Sequence, residues 1–414
     1  MTGNRAVRPG GRDALILFST RIIRLFCYGF LSVVLALYLA QVGLDEKQIG
    51  LLFTLTLAGD AGITLWLTTS ADRLGRKRTL ILGALLMLGA GLAFLLTRNF
   101  LLLAAAAIIG VISPSGNEIG PFLSVEQAAL TQLLPDRQRT HAFAWYSLAG
   151  SLATASGALA GGWLAQFLIA GGTPAVDAYH SILWGYALGG VILGILFLAL
   201  SPAVEATRHS EAASIRRVLG LSHSRSVVFR LSALFAMDAF AGGLIVQAMI
   251  AYWFHVRFGV DPGIIGSIFF GANILAGLSA LLAVRLAARF GLINTMVFTH
   301  IPSNLLLILV PLMPSLPWAV TVLLLRFSIS QMDVPTRQSY TMGVVAPDER
   351  SAASGVTTIA RSVGAAISPT LTGIFLATPA LINVPFFAAG TIKILYDVLL
   401  YRSFVRHRPP EEQR

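Results

Sequence analysis

Ala71-Asp72-Arg73-Leu74-Gly75-Arg76-Lys77-Arg78 is a short charged stretch set between two long apolar runs. Gly75 permits a tight turn, because glycine takes positive φ without steric cost. The flanking runs, 48–70 and 79–97, each have about the 20 residues a helix needs to cross a hydrocarbon core. So short a turn between two such runs reads as a loop at a membrane surface. Its cluster of Lys and Arg marks the cytoplasmic face.

Working outward from this loop, the same reading gives twelve apolar runs. They are 14–40, 48–70, 79–97, 101–133, 141–170, 181–200, 229–256, 263–284, 293–313, 317–344, 352–376 and 382–401. Composition agrees, with 56% hydrophobic and only 12% charged residues in 414. A soluble domain carries about 25% charged residues. Mean hydropathy is +0.76. Spans four and ten are irregular: the fourth holds Pro114, Gly116, Gly120 and Pro121, the tenth Pro335. A broken membrane helix survives only where its freed backbone groups face protein or a water-filled cavity. Both spans are therefore cavity candidates. The N-terminal segment, with Arg5, Arg8 and Arg12, has no small-residue cleavage site, so the first run reads as a retained helix.

With both termini cytoplasmic, 21 of the 30 Lys and Arg fall on that side and only Lys47, Arg98 and Arg257 on the other. The net charge of +11 is thus membrane topology rather than a nucleic-acid surface. A multi-pass protein of the plasma (inner) membrane, in contact with lipid and monomeric, is expected. Cys27, the one cysteine, reads as a small buried residue, and no Cys/His cluster points to a metal or cofactor.

The longest polar break, Ser201 to Arg230, divides the chain into similar halves. The expected domains are a six-helix bundle at 1–200, a cytoplasmic linker at 201–228 and a second bundle at 229–414. A shift of 216 residues maps Gly43, Asp45, Ile49 and Gly50 onto Gly259, Asp261, Ile265 and Gly266. The same shift maps Arg73, Gly75 and Thr79 onto Arg289, Gly291 and Thr295. Pro135-Asp136 likewise has a counterpart in Pro347-Asp348. Aligned Gly, Asp and Arg at loop positions point to duplication. Half-repeats suit alternating access, in which each half moves as a body around a site at mid-membrane.

The loop at 71–78 resembles the signature of the major facilitator superfamily, Gly-x-x-x-Asp-Arg-x-Gly-Arg-Lys between helices two and three. Thr68 stands where the leading Gly is expected, and the second copy, Ala287 to Gly291, has lost the acid. Loop, length, span count and half-repeat carry the resemblance across essentially the whole chain. It implies an all-α membrane fold of twelve transmembrane helices in two pseudo-symmetric six-helix bundles. It also implies a conformational latch at Asp72, Arg73, Gly75 and Arg76. Span five resembles the glycine-rich run of antiporter-type members: Gly157, Gly161 and Gly162 match, and Ala158 replaces a proline. Span eleven keeps Pro369. The resemblance implies a helix bend there and leans toward export; ordinary small-residue packing is the bland reading.

Charges inside spans are costly and usually functional. Six basic residues, Arg21, Arg24, Arg326, Arg337, Arg361 and Lys393, balance six acids, Asp60, Glu118, Glu126, Asp238, Asp333 and Asp397. Asp238 and Asp60 lie near mid-membrane and Glu118 in the broken part of span four. With Arg21, Arg24, Glu126, Arg326, Gln331, Asp333 and Arg361 they form the expected coupling and substrate cavity. Asp238 leads as the proton-coupling carboxyl. Arg21 and Arg24 share a helix face and either snorkel, pair with Glu118 or Glu126, or bind an anion. Lys393 and Asp397, four residues apart, read as an in-helix pair. The resemblance places spans one, four, seven and ten at the cavity, with three, six, nine and twelve outside it. Tyr28 and Tyr146 are candidate cavity aromatics, and the seven histidines read as lying at loops and span ends.

The leading function is a secondary transporter moving a small solute or ion, proton-coupled and exporting. The runner-up is uptake of an organic anion by Arg21, Arg24, Arg326 and Arg361. A non-transporting receptor has the same composition. No His-Glu-x-x-His, Gly-x-Ser-x-Gly or phosphate-cradling motif favours an enzyme.

Overall fold

The computed structural model describes residues 9–134, 136–205, 224–346 and 349–407, with backbone alone at 9, 10, 68, 69, 72, 73, 136–141 and 351. The side chains of Asp72 and Arg73, the linker at 206–223, Pro347-Asp348 and the outermost terminal arginines therefore lie outside the described residues.

Among the described residues, sixteen α-helices form twelve spans. Span one is α1 (Pro9–Ser32) with α2 (Leu35–Gln41); spans two and three are α3 (Glu46–Leu74) and α4 (Arg76–Leu96). Span four is α5 (Phe100–Ile109) with α6 (Phe122–Leu133); spans five and six are α7 (Asp136–Ala170) and α8 (Ala175–Leu198). The second half repeats this. Span seven is α9 (Arg225–Gly243) with α10 (Gln247–Phe258), followed by α11 (Pro262–Phe290) and α12 (Leu292–Leu309). Span ten is α13 (Leu316–Phe327) with α14 (Asp333–Gly343), followed by α15 (Arg350–Leu376) and α16 (Val384–Phe404). Ten spans are long and apolar enough to cross a membrane, and short apolar helices begin the fourth and tenth. Large apolar side chains such as Leu96, Leu101, Phe167 and Trp66 face outward, as a lipid solvent requires.

The duplication is visible in the backbone. α3 and α11 are both 29 residues long and are related by the 216-residue shift. Each starts at an Asp N-cap, Asp45 or Asp261, and each ends at a glycine with positive φ, Gly75 at 96° or Gly291 at 86°. Packing repeats as well. α1 lies on α7 and α4 on α8; α9 lies on α15 and α12 on α16.

The halves meet along α7 with α11 and α3 with α15. Glycine decides both contacts. A Cβ on Gly162 would lie 2.3 Å from Pro262 O, and one on Gly373 would lie 2.3 Å from Glu46 O. Gly157 and Gly161 press in the same way on the α1 backbone at Phe26 and Phe30. α7 runs through these glycines without interruption.

The interruptions fall in spans one, four, seven and ten. Two of them, at Val33–Val34 and at 244–246, occur in spans that read as continuous in the sequence. Side chains satisfy the backbone groups these breaks free. Thr372 Oγ1 donates to Leu244 O at 2.8 Å, and the Tyr186 hydroxyl donates to Val111 O. Gln331 N–H donates to Ser279 Oγ at 3.1 Å.

Candidate functional site

The intramembrane charges gather into two clusters, one in each half. In the first half, α1 presents Arg21 and Arg24 to the broken span four. Arg24 donates to Glu126 through both terminal nitrogens, each at 2.8 Å, and through Nε to Glu118 at 2.7 Å. Arg21 donates to Glu118 at 2.8 Å and to Tyr146 O at 2.8 Å, with its guanidinium 4.2 Å from the Tyr146 ring centre. Thr20 and the Tyr146 hydroxyl donate to Glu126 as well. Arg24 and Glu126 are wholly buried, so this pair is closed to solvent and Arg24 does not snorkel. Tyr28 and Tyr146 are also fully buried within the half.

Asp60, on α3, stands apart. It accepts from Gly120 N–H at 2.6 Å and from the Thr64 hydroxyl at 3.1 Å, both on Oδ1. Among the described residues it has no cationic partner, and its Oδ2 accepts no hydrogen bond.

The second-half cluster centres on Asp238 of α9. Lys393 Nζ is 2.5 Å from its Oδ1; Arg337 and Arg361 lie 3.2 and 3.3 Å from Oδ2. Arg337 also bonds Asp333, one helical turn before it on α14, at 2.8 Å. The Lys393–Asp397 pair expected within α16 does not form. The two side chains diverge, Lys393 to Asp238, and Asp397 to His300 Nδ1 at 2.9 Å and to Asn304 at 3.2 Å. His300, midway along α12, is the residue the sequence does not announce: it lies in an apolar run, not at a span end. Its other ring nitrogen is 4.0 Å from Asp238. Spans nine and twelve thus supply three members of the cluster, although the resemblance implies positions outside the cavity for them. Arg361 is the most exposed member, its side chain 34% accessible.

Arg326, at the end of α13, joins neither cluster. It is 8% exposed, its Nε–H has no acceptor, and it forms no ion pair among the described residues.

Bonds between the halves gather on the side away from the chain termini. Gln247 donates to Ser32 at 2.8 Å, Ala248 N–H to Pro114 O at 2.9 Å and Tyr252 to Glu46 at 2.8 Å. Trp163 donates to Ser267 at 2.9 Å, and Thr370 to Thr54 at 2.8 Å. Spans one, four and seven thereby meet at their interruptions and seal that side.

On the terminal side, Gly75 turns α3 into α4. Glu205 caps α4, accepting the N–H groups of Arg76 at 2.7 Å and Lys77 at 3.2 Å. A carboxylate is stabilised at a helix N-terminus. Lys77 Nζ in turn holds Leu198 O and Leu200 O, each at 2.8 Å. The loop is thus fastened to the end of span six within its own half.

The sequence profile of the Major Facilitator Superfamily matches residues 17–369 and 256–414. A relative in Saccharomyces cerevisiae (strain ATCC 204508 / S288c), named uncharacterized membrane protein YJR124C, is 30% identical over 95% of this chain and 94% of its own. Among solved structures, a mutant form of the nucleoside transporter NupG superposes with a TM-score of 0.75 at 15% identity, covering 94% of this chain and 99% of that one. A D-xylose-proton symporter gives 0.74 at 14%, covering 97% and 99%. A bacterial homolog of the human lysosomal transporter Spinster, inward-facing and occupied, gives 0.73 at 17%, covering 98% and 99%.

Proposed function

The chain belongs to the major facilitator superfamily and is a multi-pass membrane transport protein, and we propose that it exports a small solute in exchange for protons, with Asp60 as the proton site. The observation that carries this reading is the set of Asp60 partners. A carboxylate held only by neutral donors can take up a proton without stranding a buried counter-charge. Its open Oδ2 leaves a place for that proton. Asp238, the first choice on sequence grounds, is surrounded by three cations and His300, and its protonation would leave several of them uncompensated. Asp238 therefore holds the second half together, and Asp60 titrates.

In the same reading the termini are cytoplasmic in a plasma (inner) membrane. The seal on the far side makes this the inward-facing state, and the loop at Asp72, Arg73, Gly75 and Arg76 latches the alternate one. The direction rests on the antiporter-like glycines of span five.

The test uses proteoliposomes carrying a pH-sensitive dye and challenged with a panel of solutes. Asp60→Asn is expected to abolish solute-driven proton movement while solute counterflow continues. Asp238→Asn is expected to lower the unfolding temperature. Proton movement in Asp60→Asn equal to wild type would remove Asp60 from the coupling role.

A further inference from the structure

The balance of six bases and six acids conceals an uneven split between the halves. The first half holds Arg21 and Arg24 against Asp60, Glu118 and Glu126. The second holds Arg326, Arg337, Arg361 and Lys393 against Asp238, Asp333 and Asp397. Among the described residues, pairing within the clusters leaves one of these groups outside in each half, Asp60 in the first and Arg326 in the second. We propose that Arg326 binds the anionic group, a carboxylate or phosphate, of the transported solute. This rests on the transport reading and adds a substrate class to it.

A guanidinium presents five donors and stays charged at any physiological pH. Burying such an ion without a partner costs several kcal/mol. The contact of Arg326 with the Phe327 ring, 4.9 Å from the ring centre, offsets only about 0.5–2 kcal/mol of that. Asp333 exerts a Coulombic pull on Arg326 but makes no ion pair with it among the described residues, and its Oδ2 bonds Arg337 at 2.8 Å. Ser330, four residues on and inside the interruption that follows α13, is 5% exposed, and its hydroxyl also lacks a partner. Two unpartnered donors on one broken span, in a half with one surplus positive charge, fit an acceptor-rich, negatively charged guest.

The other arginines do not meet these conditions. Arg21 and Arg24 are neutralised by Glu118 and Glu126, and Arg337 by Asp333 and Asp238. Arg361 shares Asp238. A soluble anion and a lipid headgroup offer the same chemistry, so the two sources need separate arms of one experiment.

Full-length protein in detergent is heated in sodium phosphate, succinate or benzoate, with sodium chloride at matched ionic strength as the control. The variants are Arg326→Gln and Arg326→Lys. At least one soluble anion should raise the wild-type Tm by about 2–4 °C. Arg326→Gln should start from a Tm at or above wild type, because a buried charge has gone, and should not respond. Arg326→Lys, which keeps the charge but loses the fork, should respond weakly. No response of wild type to any of the three anions overturns the proposal, as does an equal response of Arg326→Gln. Nanodiscs of phosphatidylcholine with and without phosphatidylglycerol form the second arm; a shift with phosphatidylglycerol alone makes Arg326 a lipid site and overturns the substrate assignment. Coupled exchange of cationic or neutral solutes, without anion binding, would leave the transport reading standing and this one refuted. Anion binding without any flux would keep the anion site at Arg326 but overturn both the transport reading and the assignment of that anion as cargo.

Discussion

Both oxygens of Glu126 are occupied, by Arg24, Thr20 and Tyr146, in a place without solvent. Removing one partner of such a pair leaves the other charge stranded. Arg24→Ala should therefore destabilise the protein by about 3–5 kcal/mol, read as thermal unfolding in detergent. Arg24→Leu with Glu126→Leu should recover much of that loss, because the stranded charge goes too. A double variant no more stable than the single one would show that the pair does more than neutralise itself. Residue identities at these positions are legible in the sequence; their partners are not. Arg24 and Glu126 are 102 positions apart, and only the packing of α1 on span four selects Glu126. His300 gives no sign because a lone histidine in an apolar run fits a packed core equally well. Asp238 and Asp60 look alike as intramembrane acids, and what separates them is how many cations surround each.

Among elements, span two is the most legible. Asp45 and Gln48 form a capping box at its start, Gly75 stops it, and both signals are local. The interruption in span four is legible from its prolines and glycines. That in span seven follows Gly242-Gly243, and that in span one has neither Pro nor Gly at Val33–Val34; both depend on what packs around them. The glycines of span five are equally visible, but their use depends on their neighbours. Gly162 lets α7 touch α11 across the half interface, so Gly162→Val forces an overpacked contact worth about 1–3 kcal/mol. The change should loosen the far-side seal. Spin labels on Lys47→Cys and Arg257→Cys, with Cys27→Ala, should then report a longer or broader distance. Gly373→Val should act likewise at the mirror contact of α3 with α15. An unchanged distance distribution in both variants would mean that neither contact controls the state.

For the whole molecule, twelve spans and their duplication follow from hydrophobic length and one recurring loop, whereas which span packs on which does not. Orientation is argued from charge asymmetry alone. In a Cys27→Ala background, Arg98→Cys should react with an impermeant maleimide in intact cells, and Arg12→Cys only after permeabilisation. The opposite pattern would invert the orientation, and with it the direction of every state assigned above. The interruptions bear on mechanics. A helix resists bending through its unbroken ladder of i to i−4 bonds, and four of the twelve rods have that ladder cut near their middle. Those four are the compliant members of the frame; the other eight run as single helices, α12 and α15 each lacking a ladder bond at an interior proline, Pro302 and Pro369. Deformation imposed by a guest of unfamiliar size would be absorbed in the cut rods. The glycine seams between the halves, built on helices that cross in one piece, would keep their register.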